Sequence, residues 1–210
     1  MNNSQSGKAA TRRLAPRKTP SQPRSAQTVE TILEGAAHIL EQQGLEGYTT
    51  NAIAARAGVS IGSLYQYFPT KDAITVALIE RESAGLVDEA MLALQDGERR
   101  QALRRLIEIA VRYQLRRPKL ARLLDVEQDR LSQLLPRSGS AAAMHAALAA
   151  FLGGWMEQGS AAAGAAASDV MALVSALTDV AGRRGSMPAA QLAAGIEGAV
   201  LGYLGLGREA

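Results

Sequence analysis

The sequence predicts an all-α protein of about nine helices. Proline and glycine fall between the candidate helices, and no run of alternating β-branched residues indicates a strand. Hydrophobic residues make up 47% of the 210-residue chain, but aromatic residues only 4%. Alanine is used heavily, which favours a core of closely packed helices. A chain of this length fits one large domain or two small ones.

The composition limits the classes of site that the protein can contain. The absence of cysteine excludes disulfides, thiolate metal sites and cysteine catalysis, and is typical of a reducing cytosol. The N-terminus is basic but lacks the apolar region of a secretory signal. The apolar stretch over 141–156 is too short to span a bilayer and contains His145. We therefore expect a cytoplasmic protein with no membrane partner, no metal and no other cofactor.

Positive charge is concentrated at the N-terminus. The chain holds 23 Lys and Arg residues and 20 Asp and Glu residues, a net charge of +3. Six of the basic residues and no acidic residue lie within 1–26, so the rest of the chain carries a net −3. The polar, proline-rich composition predicts a disordered basic arm over 1–27. It is either a solvated leader or an arm that contacts DNA, and Arg24 is the favoured contact because it abuts the first helix.

The first predicted helix covers Thr28 to Gln43. Gly44 follows it and supplies a helix stop. The helix is expected to bury one face against the next two helices and so to complete a three-helix unit. The apolar residues of that face recur at helical spacing, and they are Val29, Ile32, Leu33, Ala36, Ala37 and Leu40.

Residues 49–71, TTNAIAARAGVSIGSLYQYFPTK, predict two short helices joined by a tight corner. Gly58 supplies the permissive backbone that ends the first helix, and Ser60 caps the second helix, Ile61 to Phe68. A helix, a glycine-containing turn and a second helix form the DNA-binding helix-turn-helix motif. Its exposed hydroxyl and apolar groups suit contacts with phosphates and thymine methyls. The alternative is a packed helical hairpin with tyrosines at its surface.

A fourth, longer helix is predicted from Lys71 to about Gln95. Lys71 lies in its first turn, where the positive end of the helix dipole disfavours a cation. A nearby phosphate would remove that penalty, because helix N-termini bind anions. The position therefore favours a contact with DNA, and the alternative is an ordinary surface lysine.

The remaining chain predicts a helical second domain over 76–210, after a helix-turn-helix domain over 28–75. Gly195, Gly198 and Gly202 lie on one face of the last helix together with Gly205. Each glycine inside a helix costs about 1 kcal/mol relative to alanine, so we predict a tight helix–helix seam, within the subunit or between subunits. The predicted segments are helices over 98–117, 118–136 and 144–155, a low-complexity link over 159–167, and helices over 168–184 and 188–206.

The N-terminal motifs resemble those of the TetR family of bacterial regulators. The match runs from about Thr28 to Glu80 and follows the family's order and spacing. It comprises ILEGAA at 32–37, Gly44, TTNAIA at 49–54, AGVS at 57–60, SLYQYF at 63–68 and Lys71. The resemblance implies a homodimeric repressor that binds a palindromic operator and is released by a small-molecule effector. It also implies that the last two helices form a four-helix bundle with those of the partner, through Val174, Leu177, Gly195, Gly198 and Gly202.

The resemblance further implies DNA roles for individual positions. The residues that match base-facing positions are Asn51, Ile61, Gly62 and Tyr65. The residues that match phosphate-facing positions are Thr50, Ser63, Tyr67 and Lys71, and Ser60 caps the recognition helix within reach of the backbone. Ile61 and Gly62 offer no side-chain hydrogen bond, so specificity is expected to depend on Asn51, Tyr65, methyl contacts and DNA shape.

The effector site has weaker support in the sequence. Glu127 falls on the apolar face of its helix, where a carboxylate needs a partner. That partner is either a polar effector group or an internal arginine such as Arg105 or Arg112. Five other residues are candidates for lining a cavity, with plain core packing as the alternative for each. They are Tyr113, Met144, His145, Phe151 and Trp155.

Two other functions compete with a regulator. An architectural DNA-binding protein would use the basic arm without reading sequence. An enzyme is disfavoured because the chain has only two histidines, His38 and His145, and no H-E-x-x-H, G-x-S-x-G or phosphate-cradling loop. We therefore predict a protein without catalytic residues.

Overall fold

The structure, a computed structural model, describes residues 23–206 apart from residues 96, 133–138, 157–159 and 186. The described part of the chain contains nine α-helices and no strand, which confirms the predicted fold class. In chain order these are α1 Pro23–Gly47, α2 Thr50–Ala57, α3 Ile61–Tyr67, α4 Lys71–Gln95, α5 Arg99–Arg116, α6 Pro118–Ser132, α7 Gly139–Met156, α8 Ser160–Arg184 and α9 Ala189–Tyr203. Most of the predicted basic arm, and the side chain of Arg24, lie outside the described residues.

The first helix is longer than predicted at both ends. It begins at Pro23, where a residue without an N–H suits the first helical turn. Residues 23–27 therefore belong to α1 and not to a disordered arm. Gly44 has φ 67° and ψ −164°, a conformation open essentially to glycine alone. It interrupts the helix as predicted, but helical structure resumes as far as Gly47.

The chain divides into two compact units, each with its own core. The described part of the N-terminal unit is 23–82 with 119–132, and that of the C-terminal unit is 83–118 with 139–206. This division differs from the predicted boundary at residue 75, because α6 joins the N-terminal unit. The leucines of α6 enter the same buried cluster as α1 to α4, and they are Leu120, Leu124 and Leu131.

Large apolar side chains that are almost fully buried hold the N-terminal unit together. They include Ile32, Leu40, Ile53, Leu64 and Phe68. Burial of one such side chain contributes roughly 1.5–3 kcal/mol to stability relative to exposure. Because they come from α1, α2, α3 and the residue after α3, the cluster fixes these three helices against one another.

A glycine sets the closest approach of α1 to α2. A Cβ atom built on Gly35 would lie 3.2 Å from both the Cβ and the backbone N of Ala57, and 3.4 Å from the carbonyl oxygen of Ile53. These distances leave no room for a larger side chain. Small residues on both helices therefore permit the crossing.

An arginine in α4 fixes this helix against α1 by ion pairs. Arg81 donates from Nη1 to Glu30 at 2.8 Å and from Nη2 to Glu34 at 3.0 Å. It also pairs with its neighbour Glu82 at 2.5 Å. Hydrogen bonds and charge from these carboxylates outweigh desolvation, so the pKa of Arg81 is raised and its charge is maintained.

In the C-terminal unit, helices α5, α7, α8 and α9 enclose a second core. Its deeply buried members include Ala90 from the second half of α4, together with Leu103, Ile107, Leu148, Leu152, Ala167, Ile196 and Val200. α7 and α8 pack closely, because a Cβ on Gly153 would lie only 3.3 Å from the Cβ of Ala163.

The low-complexity link predicted over 159–167 is wrong from Ser160 onward. Residues 160–167 form the first part of α8, and Ala163, Ala166 and Ala167 are buried. Alanine has the highest helix propensity, so a run of alanines continues a helix wherever one face can be buried. Among the described helices, α8 is also long and apolar enough to cross a membrane, a property that core helices share.

The glycine face of α9 does not form a seam with any part of the subunit that the structure describes. Gly195, Gly198 and Gly202 are exposed, and a Cβ built on any of them would meet nothing within 4 Å. Gly205 lies beyond the end of α9 and has φ 69°, so it belongs to the helix terminus and not to this face. Of the two predicted alternatives, the internal seam is therefore wrong.

We predict that Gly35→Val lowers the free energy of unfolding of the N-terminal unit by about 2 kcal/mol, because the added methyls overpack the α1–α2 crossing. Urea unfolding followed by circular dichroism measures the change. The control is Gly164→Val in α8, where an added Cβ would meet nothing within 4 Å. Equal stability of Gly35→Val and the wild type would contradict the tight crossing.

Candidate nucleic-acid interface

The corner between α2 and α3 is built by two caps and a left-handed glycine. Thr49 caps α2 by accepting the backbone N–H of Ala52 at 3.1 Å. Gly58 has φ 67° and ψ 29°, the left-handed conformation that lets the chain turn out of α2. Ser60 then caps α3 by accepting the N–H of Ser63 at 3.0 Å. The turn at Gly58 and the cap at Ser60 were predicted.

Helix α3 is anchored by one face and exposed on the other. Leu64 and the following Phe68 are both 0% exposed. Ile61 and Tyr65, on the opposite side of the helix, are 39% and 43% exposed. With Gly62 and Gln66, which are also exposed, they form the open face of α3. A nucleic acid could contact this face without any change in the core.

The start of α2 lies against the open face of α3. The hydroxyls of Thr50 and Tyr65 lie 3.2 Å apart, within hydrogen-bonding distance. This contact restricts the Tyr65 ring while leaving one side of it accessible. Asn51, the next residue of α2, is exposed. The structure thus brings Thr50, a predicted phosphate contact on α2, against Tyr65, a predicted base contact on α3.

The ammonium group of Lys71 lies over the ring of a buried tyrosine. The Lys71 Nζ lies 5.4 Å from the centre of the Tyr48 ring, a cation–π distance. Tyr48 is 1% exposed, and its hydroxyl lies 3.2 Å from the Oγ1 of Thr75. Burial raises the pKa of Tyr48 to about 12, so the ring stays neutral beneath the ammonium group. Lys71 itself is exposed and available to an anion.

Two of the predicted phosphate contacts are less accessible than the sequence indicates. Tyr67 is half-buried against the core of the N-terminal unit. The Ser63 hydroxyl lies 2.9 Å from the Oγ of Ser60, so these two side chains are partners within the cap. The contact of Tyr67 and Ser63 with DNA stays a prediction.

Sequence reasoning missed two residues of this region. Tyr48 was not singled out, although it lies between Gly47 at the end of α1 and Thr49, the cap of α2. Gln66 was not named, although it lies four residues after Gly62 and therefore shares its helix face. Helical spacing alone could have identified Gln66, whereas the burial of Tyr48 depends on packing that the sequence does not display.

The structure separates Glu127 from the other predicted effector residues. Glu127 is 6% exposed in the N-terminal unit, and its partner is Arg130 on its own helix. The predicted partners Arg105 and Arg112 are therefore wrong. Arg112 pairs instead with Glu89.

The other five candidates lie in the C-terminal unit, where each has protein contacts. Tyr113 donates to Glu89 at 2.9 Å, and the His145 Nε2 lies 3.0 Å from the Oγ of Ser168. Met144 is buried, and the rings of Phe151 and Trp155 meet edge to face at 5.8 Å. These contacts match the core interpretation that the sequence left open, and a role in effector binding stays a prediction.

An open cleft of about 370 Å³ lies in the N-terminal unit between α1 and α2. Its lining carries both signs of charge and includes none of the predicted effector residues. It consists of Gln27, Glu30, Thr31, Glu34, Gly35, His38 and Arg56. Within the residues that the structure describes, no group of three or more His, Asp or Glu side chains converges to hold a metal ion.

We predict that the N-terminal unit loses stability as the pH rises from 10 to about 12. The pKa of Tyr48 is raised from 10.0 in the unfolded chain to about 12 in the fold, so ionisation favours unfolding over this interval. The shift corresponds to a loss of up to about 3 kcal/mol, which is absent below pH 10. Melting temperatures measured from pH 9 to 12 should therefore fall further for the wild type than for Tyr48→Phe.

Tyr65→Phe is the matched control for this measurement, because it removes a hydroxyl from an exposed ring. Its melting temperature should follow that of the wild type. Parallel curves for the wild type and Tyr48→Phe would show that burial of Tyr48 does not disfavour its ionised form.

Comparison with known proteins supplies a family for this architecture. Residues 32–78 match the sequence model of the family described as bacterial regulatory proteins, tetR family. The chain is 34% identical over 119 residues to the nucleoid occlusion factor SlmA of Pectobacterium carotovorum subsp. carotovorum (strain PC1), which covers 51% of this chain and 60% of that protein. It is 36% identical over 109 residues to that of Sodalis glossinidius (strain morsitans), covering 49% and 55%. The match thus spans little more than half of these relatives.

Solved structures share the fold along most of the chain. A TetR-like transcriptional regulator from Rhodococcus sp. RHA1 is similar with a TM-score of 0.64 and 21% identity, over 90% of this chain and 98% of that one. The fatty acid degradation regulator FadR from Bacillus halodurans has a TM-score of 0.71 and 16% identity, over 87% and 97%. The chain thus carries an N-terminal segment similar to the TetR family of bacterial regulatory proteins, and its fold is similar to that of these solved structures.

Proposed function

We propose that the protein is a homodimeric transcriptional repressor that binds a palindromic DNA operator and is released by a small-molecule effector. The observation that carries the proposal is the open face of α3. Its exposed Ile61 and Tyr65 contrast with the buried Leu64 and Phe68 that anchor the helix. A short helix held rigidly by one side and open on the other fits the geometry of a recognition helix in the major groove.

The proposed contacts divide into base reading and phosphate positioning. Asn51 and Tyr65 read base edges by hydrogen bonds, while Ile61 and Gly62 allow close apolar contact with thymine methyls. Thr50, Ser60, Ser63 and Tyr67 contact phosphates from the ends of α2 and α3. Lys71 adds a cation at the N-terminus of α4, supported by the Tyr48 ring.

The proposed subunit contact uses α8 and α9. Gly195, Gly198 and Gly202 leave one side of α9 exposed and without side chains that would hold a second helix away. Leu177 on α8 is 36% exposed, and Val174 is partly buried nearby in sequence. Dimers of helix-turn-helix proteins bind half-sites about 34–36 Å apart, so we propose that the dimer meets successive major grooves of a palindrome.

Release by an effector is proposed from the similarity to the TetR family and assigns no chemical class of ligand. Glu127 is accounted for by its pair with Arg130, so this part of the proposal rests on the five candidates in the C-terminal unit. They are Tyr113, Met144, His145, Phe151 and Trp155. A cytoplasmic location accords with the family's role on DNA.

An architectural or weakly specific DNA-binding protein is the second candidate function. This candidate is favoured by the relatives named nucleoid occlusion factor, which match about half of the chain. The two functions differ in the ratio of specific to non-specific affinity. A regulator should prefer its selected site over random duplex by ~10³ or more at physiological salt.

We predict that selection from random duplexes recovers a palindrome. Asn51→Ala should relax the preference at one base pair per half-site by about 1–3 kcal/mol. Lys71→Ala should weaken binding to every sequence equally. It should also reduce the slope of log affinity against log salt concentration by the amount expected for about one phosphate contact per subunit. The control is Arg184→Ala, which removes an equal charge from the end of α8. Binding that shows no sequence preference would support the architectural function instead.

We predict that Gly198→Leu converts the dimer to a monomer, because the side chain fills the space where a second helix packs. Leucine also raises helix propensity by about 0.8 kcal/mol, so the subunit itself should stay folded. Sedimentation velocity measures the mass, and circular dichroism measures the helix content. The control, Gln101→Leu, adds an exposed leucine to α5. A Gly198→Leu protein that remained dimeric would locate the subunit contact elsewhere.

A further inference from the structure

One arginine of α6 joins two carboxylates from different helices of the N-terminal unit. The Arg130 Nε lies 3.2 Å from both carboxylate oxygens of Glu127, and its Nη2 lies 2.7 Å from Oε2 of the same residue. The same Nη2 donates to the Oδ1 of Asp72 at 2.5 Å. Asp72 and Arg130 are 58 residues apart in sequence, so the contact exists only because α6 joins the N-terminal unit.

The position of Asp72 gives this contact a consequence for DNA binding. Asp72 follows Lys71 in the first turn of α4, and its side chain is 30% exposed. A carboxylate there stabilises the helix end, since the N-terminal dipole is positive. The carboxylate of Asp72 would instead repel a phosphate bound next to it. Charges much closer together than the Debye length of ~10 Å are screened only weakly by salt.

We propose that Arg130 is a positioning residue for DNA binding, which masks the charge of Asp72 and thereby leaves Lys71 as the net charge that a phosphate meets. The proposal rests on the proposed DNA-binding function and assigns to α6 a part in it. Arg130 does not touch DNA in this account. It acts through Asp72.

Glu127 holds the guanidinium of Arg130 within hydrogen-bonding distance of Asp72. Its side chain is 7% exposed, and a buried carboxylate is stable only with a partner. Hydrogen bonds to Glu127 and then to Asp72 raise the pKa of Arg130 further above its ordinary value, so its charge is permanent. With one carboxylate holding the guanidinium along α6, the Nη2 that faces Asp72 has a defined position.

The test compares Arg130→Gln with two double variants that both restore the net charge of the wild type but remove different carboxylates. Arg130→Gln exposes the charge of Asp72 and should weaken binding to the selected duplex about three- to tenfold, the range expected for one nearby surface charge. Asp72→Asn in that background removes the repelling carboxylate and should restore affinity to within about twofold of the wild type. Glu127→Gln in the same background restores the same net charge but leaves Asp72 unmasked, so affinity should stay low.

A matched control separates the proposal from a general effect of charge. Arg183 forms an i,i+4 ion pair with Asp179 at 2.7 Å on α8. Arg183→Gln therefore changes the charge by the same amount and should leave DNA affinity unchanged. Helix content and melting temperature, measured on every variant, show which proteins are folded under the binding conditions.

The outcomes distinguish this proposal from the function on which it rests. Failure of the wild type to select any duplex would overturn the proposed function. If the wild type binds DNA and a folded Arg130→Gln variant binds it with equal affinity, the proposed role of Arg130 is overturned. Equal recovery by Asp72→Asn and Glu127→Gln, or recovery by neither, would show that Arg130 acts on the fold as a whole and not through Asp72.

Discussion

The short length of α3 is the constraint on which the rest of the N-terminal unit depends. A helix of seven residues is too short to be stable alone, because nucleation costs more than its few hydrogen bonds return. Its existence therefore relies on the burial of Leu64 and Phe68 and on the Ser60 cap. These contacts use one side only, so stability and an exposed recognition surface come from the same arrangement. The close crossing of α1 and α2 at Gly35 provides the base for it.

The ion pairs of Arg81 and Arg130 fix the positions of helices in the N-terminal unit, whereas Lys71 remains exposed. Arg81 is engaged by carboxylates of α1 and α4, and Arg130 by Glu127 and Asp72. Lys71 instead lies over the neutral ring of Tyr48, which supports an ammonium group without cancelling its charge. The proposed phosphate contact thus combines a helix N-terminus, an exposed lysine and a neighbouring acid whose charge is masked. Helix α6 is remote in sequence but contributes Arg130 to this combination.

Local signals predicted the corner and its exposed residues, because caps, glycine stops and helical spacing act over a few residues. The cap at Ser60, the turn at Gly58 and the exposure of Tyr65 follow from such signals. Packing between distant segments did not follow: periodicity predicts which face of α6 is apolar but not which core it enters. The helical start of α8 was missed because its composition was interpreted as a link. The pair of Glu127 with Arg130 was predictable from i,i+3 spacing, whereas Asp72 was not.

Because the natural chain has no cysteine, one engineered thiol can report on the open face of α3 without interference. The measurement is the rate at which Gln66→Cys reacts with a maleimide, with and without the duplex recovered by selection. Leu92→Cys, at a site in the C-terminal unit that is 68% exposed, gives the reference rate. The account predicts that DNA slows the reaction at position 66 at least tenfold more than at position 92, as expected for a helix within a groove. Equal rates at position 66 with and without bound DNA would contradict it.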